Sequence, residues 1–147
     1  IEKYFNSFEE NNEIYRKELN SLVVSMKKII SPSDFGLHNM LDDKKNINFL
    51  DFEYAGIDNC LKLICDFYCQ PRIPISNDQF KLFVYKLNSE LIKMDNLYDV
   101  AIRFLPIFKI KWACIILNQV NKVNNENYKQ KLDDIQIKKA NAYLKTF

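Results

Sequence analysis

The segment 31–56 interrupts a sequence that otherwise carries the apolar spacing of α-helices on both sides. A first helix is predicted over about residues 7–28, and Pro32 stops it because proline cannot donate an interior helical hydrogen bond. The chain has two glycines, Gly36 and Gly56, and both lie inside the interrupting segment. Glycine is favoured where the backbone turns sharply or approaches a ligand closely. The loops of this segment are therefore the expected location of any chemistry.

The remainder of the chain is predicted to be helical. A helix over about residues 58–69 is apolar nearly all round, so we expect it to be buried. A second helix, over about residues 76–92, begins with a Ser-x-x-Gln capping box. Asp95 can cap a further helix, which Pro106 is expected to interrupt. An amphipathic helix over about residues 128–144 closes the chain.

The interrupting segment itself predicts a small β hairpin. Residues 37–41 and 47–50 are predicted to form two short strands, and the polar residues 42–46 between them predict the turn. The expected fold class is therefore mainly α, with one hairpin that carries the polar loops. The length of 147 residues suits one domain, predicted over residues 1–147.

Composition and charge exclude several classes of function. The chain is 48% hydrophobic and 14% aromatic, unlike a disordered protein. The formal net charge of +2 gives no electrostatic reason to expect nucleic acid as a partner. The apolar runs are far shorter than the ~20 residues that a membrane-spanning helix needs. With no signal-peptide pattern at the start, a cytoplasmic location is expected, and the initial Ile1 predicts a piece of a longer chain.

Three of the four cysteines, Cys60, Cys65 and Cys69, lie close together on the predicted buried helix. A disulfide framework is not expected in a helical chain of this kind. A zinc site would need further ligands beside two of these thiols, and the chain contains one histidine. Buried reduced thiols are the preferred interpretation.

Three polar residues form the arrangement that points to chemistry. Asp34 and Asn39 stand five apart, and a short apolar run later leads into Asp51. Phosphoryl transfer requires a carboxylate that orients the attacking hydroxyl and accepts its proton. It also requires oxygen ligands that hold magnesium against the phosphates. A few such groups on rigid loops are sufficient, because this reaction depends mainly on positioning and charge neutralisation.

Asp34-x4-Asn39, followed by Asp51-Phe-Glu-Tyr-Ala-Gly, resembles the catalytic loop and metal-binding strand end of aminoglycoside phosphotransferases and choline kinases. The resemblance implies a protein-kinase-like C-terminal catalytic lobe. It implies Asp34 as catalytic base, Asn39 and Asp51 as Mg²⁺ ligands, and ATP as phosphoryl donor. The acceptor would be a hydroxyl of an amino alcohol, a sugar or an aminoglycoside-like compound. The motifs cover about residues 29–70 well, and the similarity continues more thinly to the C-terminus.

The same resemblance implies further residues near the site. Candidate substrate or loop contacts are Ser33, His38, Glu53, Asp58, Asp66 and Gln70. A local structural role is an open alternative for each of them. Asp34 could equally be only a turn residue, and Asn39 and Asp51 only polar groups of the loops. In the family, acidic residues often contact cationic substrates, which motivates the inclusion of Asp58 and Asp66.

Several features depart from the family pattern. Pro32 stands where a histidine is usual, and Ser33 where a glycine is common. Lys62 and Leu63 occupy positions where an acidic residue is often found. With its two glycines placed elsewhere, the chain also has no glycine-rich phosphate loop, so the nucleotide-binding N-terminal lobe is missing and the 147 residues alone are expected to be weak or inactive. A degenerate kinase-like binding or scaffold module is the alternative.

Overall fold

The computed structural model describes residues 17, 20, 21, 24–118 and 126–146. The described residues are mainly helical and also contain two small antiparallel sheets. They group into two compact units, one formed by the described residues up to Leu105 and the other by those from Pro106 onward. All of the predicted site residues belong to the first unit.

The first sheet pairs two strands that are distant in the sequence. Strand β1 (Lys28–Ser31) runs antiparallel to β4 (Gly56–Asn59). Residues 17, 20, 21, 24 and 25 are helical, so the first predicted helix is present in its described part. Its predicted end near residue 28 is wrong, because Ile29 and Ile30 are β-branched and enter a strand whose partner lies beyond the hairpin.

The predicted hairpin is present as a second sheet. Strand β2 (Met40–Asp42) pairs with β3 (Ile47–Phe49), with Met40 opposite Phe49. The first half of the predicted strand differs, because residues Leu37–Asn39 form a single 3₁₀ turn before β2 begins.

Helix α1 (Cys60–Cys69) is the buried element of the first unit. The Asn59 side chain caps it by accepting a hydrogen bond from the backbone N–H of Leu61 at 2.7 Å. Every residue of α1 except Lys62 is buried, which confirms the burial expected from its composition. The helix begins two residues later than predicted because Asp58 belongs to β4.

Helix α2 (Asn77–Leu87) begins with the predicted capping box. The Gln79 N–H donates to Ser76 Oγ at 3.2 Å, and the Ser76 N–H donates to Gln79 Oε1 at 2.8 Å. One π-helical turn, Asn88–Ile92, extends it to the predicted end. Lys93 then closes the helix in the left-handed conformation, with φ of 58°.

Helix α3 (Leu97–Asn118) continues through Pro106, so the predicted interruption is wrong. Proline removes one helical hydrogen bond, at a cost of about 3 kcal/mol. Packing of the preceding turns offsets this loss, since four of the α3 residues before Pro106 are almost fully buried. These residues are Leu97, Ala101, Phe104 and Leu105.

Thiols of α1 contact the backbone of α3. The Cys65 thiol donates to the carbonyl of Ala101, and the Cys69 thiol donates to the carbonyl of Leu105, both at 3.8 Å. The two contacts repeat at a spacing of four residues on both helices, as expected for helix faces that lie along each other. The small side chains of Cys65, Cys69 and Ala101 let the two helix backbones approach each other. Cys60, Cys65 and Cys69 are buried and not disulfide-bonded, whereas Cys114 is exposed.

In the second unit, helix α4 (Glu126–Lys145) includes the predicted last helix. Its buried Ala140 and Leu144 pack in one cluster with Ala113 of α3. Within the described ranges, no helix combines the length and the apolar character needed to cross a membrane.

Candidate active site

The predicted catalytic aspartate follows a tight, strained turn. Ser33 has φ of 72°, and the Asp34 N–H donates to the Pro32 carbonyl at 3.0 Å. A hydrogen bond between residues two apart, with positive φ at the residue between them, defines the rare γ-turn. This conformation costs free energy for any residue other than glycine. Ser31 in β1 supports the turn, since its buried hydroxyl accepts from the Ser33 N–H at 3.2 Å.

The next residue, Phe35, is held in place by contacts of its ring with three other aromatic side chains. The ring of Phe35 lies 5.2 Å from Phe67 in α1, 5.8 Å from Phe49 in β3 and 5.9 Å from Phe83 in α2, measured between ring centroids. Contacts of this kind add about 0.5–1.5 kcal/mol each beyond burial alone. Asp34 is therefore fixed between a strained turn and an aromatic anchor, while its own side chain remains 42% exposed.

Asn39 joins the two predicted motifs. Its side-chain Nδ2 donates to the backbone carbonyl of Asp34 at 2.9 Å. Its own backbone carbonyl accepts from the N–H of Leu50, the residue before Asp51, at 2.8 Å. Because Nδ2 is committed to the Asp34 loop, Oδ1 is the atom of this amide suited to ligate a cation. Asp34, Asn39 and the start of the Asp51 segment thus meet at the base of the hairpin.

His38 lies against Asp34 inside the loop. Its Nε2 is 3.4 Å from Asp34 Oδ2, and its side chain is 6% exposed. Asp34 Oδ1 and His38 Nδ1 are both buried, and neither has a hydrogen-bond partner among the described residues. Gly36 makes this arrangement possible, since a Cβ there would stand 2.6 Å from His38 Nδ1 and 3.0 Å from the Cγ of Gln70. Gly36 is thus required by a close approach and not by its φ of −172°.

Asp51 and its neighbours are exposed. Asp51 has φ of 62°, a conformation that aspartate tolerates better than most residues. Glu53 lies in the turn closed by the hydrogen bond from the Ala55 N–H to the Phe52 carbonyl. The Glu53 carboxylate hydrogen-bonds Tyr54 and, with its charge, raises the pKa of the tyrosine above its usual range, and Asp51 adds to the effect. These interactions of Glu53 lie within its own loop, and a contact with substrate stays a prediction.

Lys62 is the site residue that sequence reasoning missed. Its Nζ lies 3.1 Å from Ser33 Oγ and 3.2 Å from the Ser33 carbonyl. The same ammonium lies 3.1 Å from Asp58 Oδ2 and 3.5 Å from Asp66 Oδ2. A signal was present, because an Asp-x3-Lys-x3-Asp series places both carboxylates beside the lysine. Within this set, Ser33, Asp58 and Asp66 are joined through one cation.

Gln70 has a structural role at the end of α1. Its buried Oε1 accepts from the N–H of Arg72 at 2.9 Å and of Ile73 at 3.1 Å, and its Nε2 donates to the Ile73 carbonyl. These bonds hold the connection from α1 towards α2. A contact of Gln70 with substrate stays a prediction.

The structure thus brings Asp34, His38 and Asn39 together by direct contacts and places Asp51 one residue beyond the bond to Asn39. Over the described residues, no three His, Cys, Asp or Glu side chains gather in a group that could hold a metal ion. An Asn–Asp pair supplies oxygen atoms of the type that Mg²⁺ prefers, but fewer than a closed cage. Comparison of the chain with protein-family models, curated proteins and solved structures finds no match in any of the three.

Proposed function

We propose that this chain is the C-terminal catalytic lobe of a small-molecule kinase similar to aminoglycoside phosphotransferases and choline kinases. The parent enzyme transfers the γ-phosphoryl group of ATP to a hydroxyl of a small molecule. One observation carries the proposal: Asn39 donates through its side chain to the Asp34 carbonyl and accepts through its backbone from Leu50. Two motifs separated in sequence are thereby tied at one point.

The roles follow from the chemistry of each group. Asp34 would orient the acceptor hydroxyl and take its proton, and the exposed part of its carboxylate is open to such a substrate. Asn39 Oδ1 and the Asp51 carboxylate would hold Mg²⁺, which neutralises charge on the phosphates. Because Mg²⁺ tends to keep several waters and to share substrate phosphates, two protein ligands are compatible with this role.

The proposal needs a second part of the enzyme. The two glycines stand at Gly36 and Gly56, so these residues include no glycine-rich loop to cover the phosphates. We propose that a nucleotide-binding N-terminal lobe completes the site. The acceptor belongs to the class of amino alcohols, sugars or aminoglycoside-like compounds.

The test is a screen of the full-length protein for ATP consumption with Mg²⁺ against a panel of such alcohols. Asp34→Asn and Asp51→Ala should each lower kcat by about 10²- to 10⁴-fold, because each removes a proton acceptor or a metal ligand. Asp99→Asn, at an exposed carboxylate of α3, is the matched control and should retain turnover. Near-normal turnover of both site variants would contradict the assignment.

A second candidate function is a degenerate, non-catalytic binding or scaffold module. The observation that favours it is Lys62, which places an ammonium group on the loop before Asp34 and pairs with both nearby acids. Pro32 and Ser33 agree with this alternative as departures from the family pattern. Absence of ATP turnover across the panel in the full-length protein would favour the module.

A further inference from the structure

The strained turn before Asp34 is held from outside the loop. Ser33 adopts φ of 72° although it carries a side chain, so the γ-turn is costly in isolation. The Lys62 ammonium donates to both oxygens of this residue, the carbonyl at 3.2 Å and the hydroxyl at 3.1 Å. These are charge-assisted hydrogen bonds, which are stronger than neutral ones. They join Ser33 to a helix 29 residues away in sequence.

Lys62 is itself held rigidly. Asp58 precedes it by four residues and Asp66 follows it by four, and both carboxylates pair with its Nζ. Asp66 is 1% exposed, and every residue of α1 around it except Lys62 is buried. The Lys62 side chain is 27% exposed, and its ammonium group is held by two carboxylates, one of them buried.

We propose that Lys62 is a positioning residue that keeps the Ser33 turn closed and so sets the position of the Asp34 carboxylate. The turn bond from the Asp34 N–H to the Pro32 carbonyl is the direct consequence of this restraint. The expected effect of Lys62 on kcat rests on the proposed function, whereas its effect on the conformation of the Ser33 turn does not. Lys62 acts through Ser33 and Asp34 and does not contact the reacting atoms.

The variants must distinguish the effect of Lys62 on the Ser33 turn from its effect on the buried Asp66 carboxylate. Lys62→Met alone would leave the Asp66 carboxylate buried without its cation, which is destabilising for an unrelated reason. The comparison is therefore between Asp66→Asn and Asp66→Asn/Lys62→Met in the full-length protein. A third variant adds Ser33→Gly, because glycine adopts positive φ without steric cost and should relieve the need for Lys62.

The first readout is hydrogen exchange of the Asp34 amide by NMR. Ser33-Asp34 is the one Ser-Asp step in these 147 residues, so ¹³C-carbonyl serine with ¹⁵N aspartate leaves it as their one selected signal, and the loss of that signal from serine-labelled Ser33→Gly protein assigns it in the full-length spectrum. In the Ser33→Gly variant, labelled glycine replaces labelled serine. Relative to Asp66→Asn, adding Lys62→Met should speed exchange by about 10-fold or more, the expected effect of losing a hydrogen bond to a charged group. Adding Ser33→Gly should reverse most of this change.

The second readout is steady-state kinetics. Adding Lys62→Met should lower kcat by about 10- to 100-fold, since displacement of a catalytic group by about 1 Å has effects of this order, while KM for ATP moves much less. Unchanged Asp34 exchange, or faster exchange that Ser33→Gly does not slow, would overturn the proposal. If the full-length wild type shows no turnover, the proposed function fails, and the exchange comparison still decides the role of Lys62.

Discussion

Helix α1 and the segment from Leu41 to Ile57 are neighbours in sequence with opposite characters. In α1 every residue but one is buried, whereas every residue of the segment is exposed. The apolar composition of α1 stabilises the first unit, while the segment presents polar loops and accepts strain at Lys44 and Asp51, both with positive φ. The polar loops of the candidate site are thus exposed, while the buried helix α1 holds the loop around Asp34. It does so through the ring contact of Phe35 with Phe67 and through the hydrogen bonds of Lys62 to Ser33.

The largest difference between the two regions is expected when the same atoms are removed from both. Ile64 in α1 is fully buried, and Ile47 in β3 is 60% exposed. Ile64→Ala should lower the free energy of unfolding by about 2–5 kcal/mol, from lost burial and the cavity it leaves. Ile47→Ala should change it by about 0.5 kcal/mol or less. Denaturant unfolding measures both, and equal losses would show that the segment shares the core.

A second comparison uses the two glycines. A Cβ at Gly36 would stand 2.6 Å from the buried ring of His38, whereas at Gly56 it would meet nothing within 4 Å. Gly36→Ala should therefore destabilise the protein by about 1–3 kcal/mol, as overpacking does. Gly56→Ala is the control, and it should be neutral or stabilise by about 0.4–1 kcal/mol through the unfolded chain. Thermal unfolding of the two variants tests this, and the reverse ranking would contradict the packing around His38.

The link between loop and helix can be measured directly. A double-mutant cycle of Phe35→Ala and Phe67→Ala should give a coupling energy of about 0.5–1.5 kcal/mol, because their rings are 5.2 Å apart. A cycle of Phe35→Ala with Ile47→Ala serves as reference and should be close to additive. Chemical denaturation of the variants provides both values. A negligible first coupling would mean that the loop before the hairpin is not held by α1.

The smallest expected effect concerns the hairpin turn. Backbone N–H groups of Asn46 and Lys45 donate to the Asp43 carboxylate and lower its pKa below 3.8. A lowered pKa means that the stabilisation is complete above the ordinary value and is lost as pH falls through the folded-state pKa. An NMR titration of the Asp43 carboxyl should therefore show an apparent pKa below 3.8. Asp43→Ala should remove the corresponding change in the β2–β3 amide shifts, and a titration at the ordinary value would contradict the turn geometry.

The sequence was sufficient where structure depends on local patterns. The burial of α1 followed from its composition, and the capping box of Ser76 and Gln79 followed from spacing alone. The hairpin followed from two short predicted strands on either side of a polar turn. Each of these features is determined by residues that are close to each other in the sequence.

The sequence was insufficient where distant segments decide the outcome. Pairing of β1 with β4 needs a partner strand beyond the whole hairpin, so the local pattern predicted more helix. The continuity of α3 through Pro106 depends on packing of the preceding turns, which no local rule contains. The contact of Lys62 with Ser33 spans 29 residues, and at the sequence level Lys62 was only the residue in place of an expected acid. For the candidate site, Asp34 and Asn39 are in contact through the Asp34 carbonyl, and their roles remain a prediction.

The cysteine thiols of the molecule differ sharply in their accessibility to reagents. Cys60, Cys65 and Cys69 have no exposed surface, and burial raises the pKa of Cys60 further from the reactive thiolate form. Cys114 is accessible from the start. An alkylating reagent should therefore consume the Cys114 thiol promptly and those of Cys65 and Cys69 only as α1 separates from α3, so mass spectrometry of a single sample would report how often this interface opens.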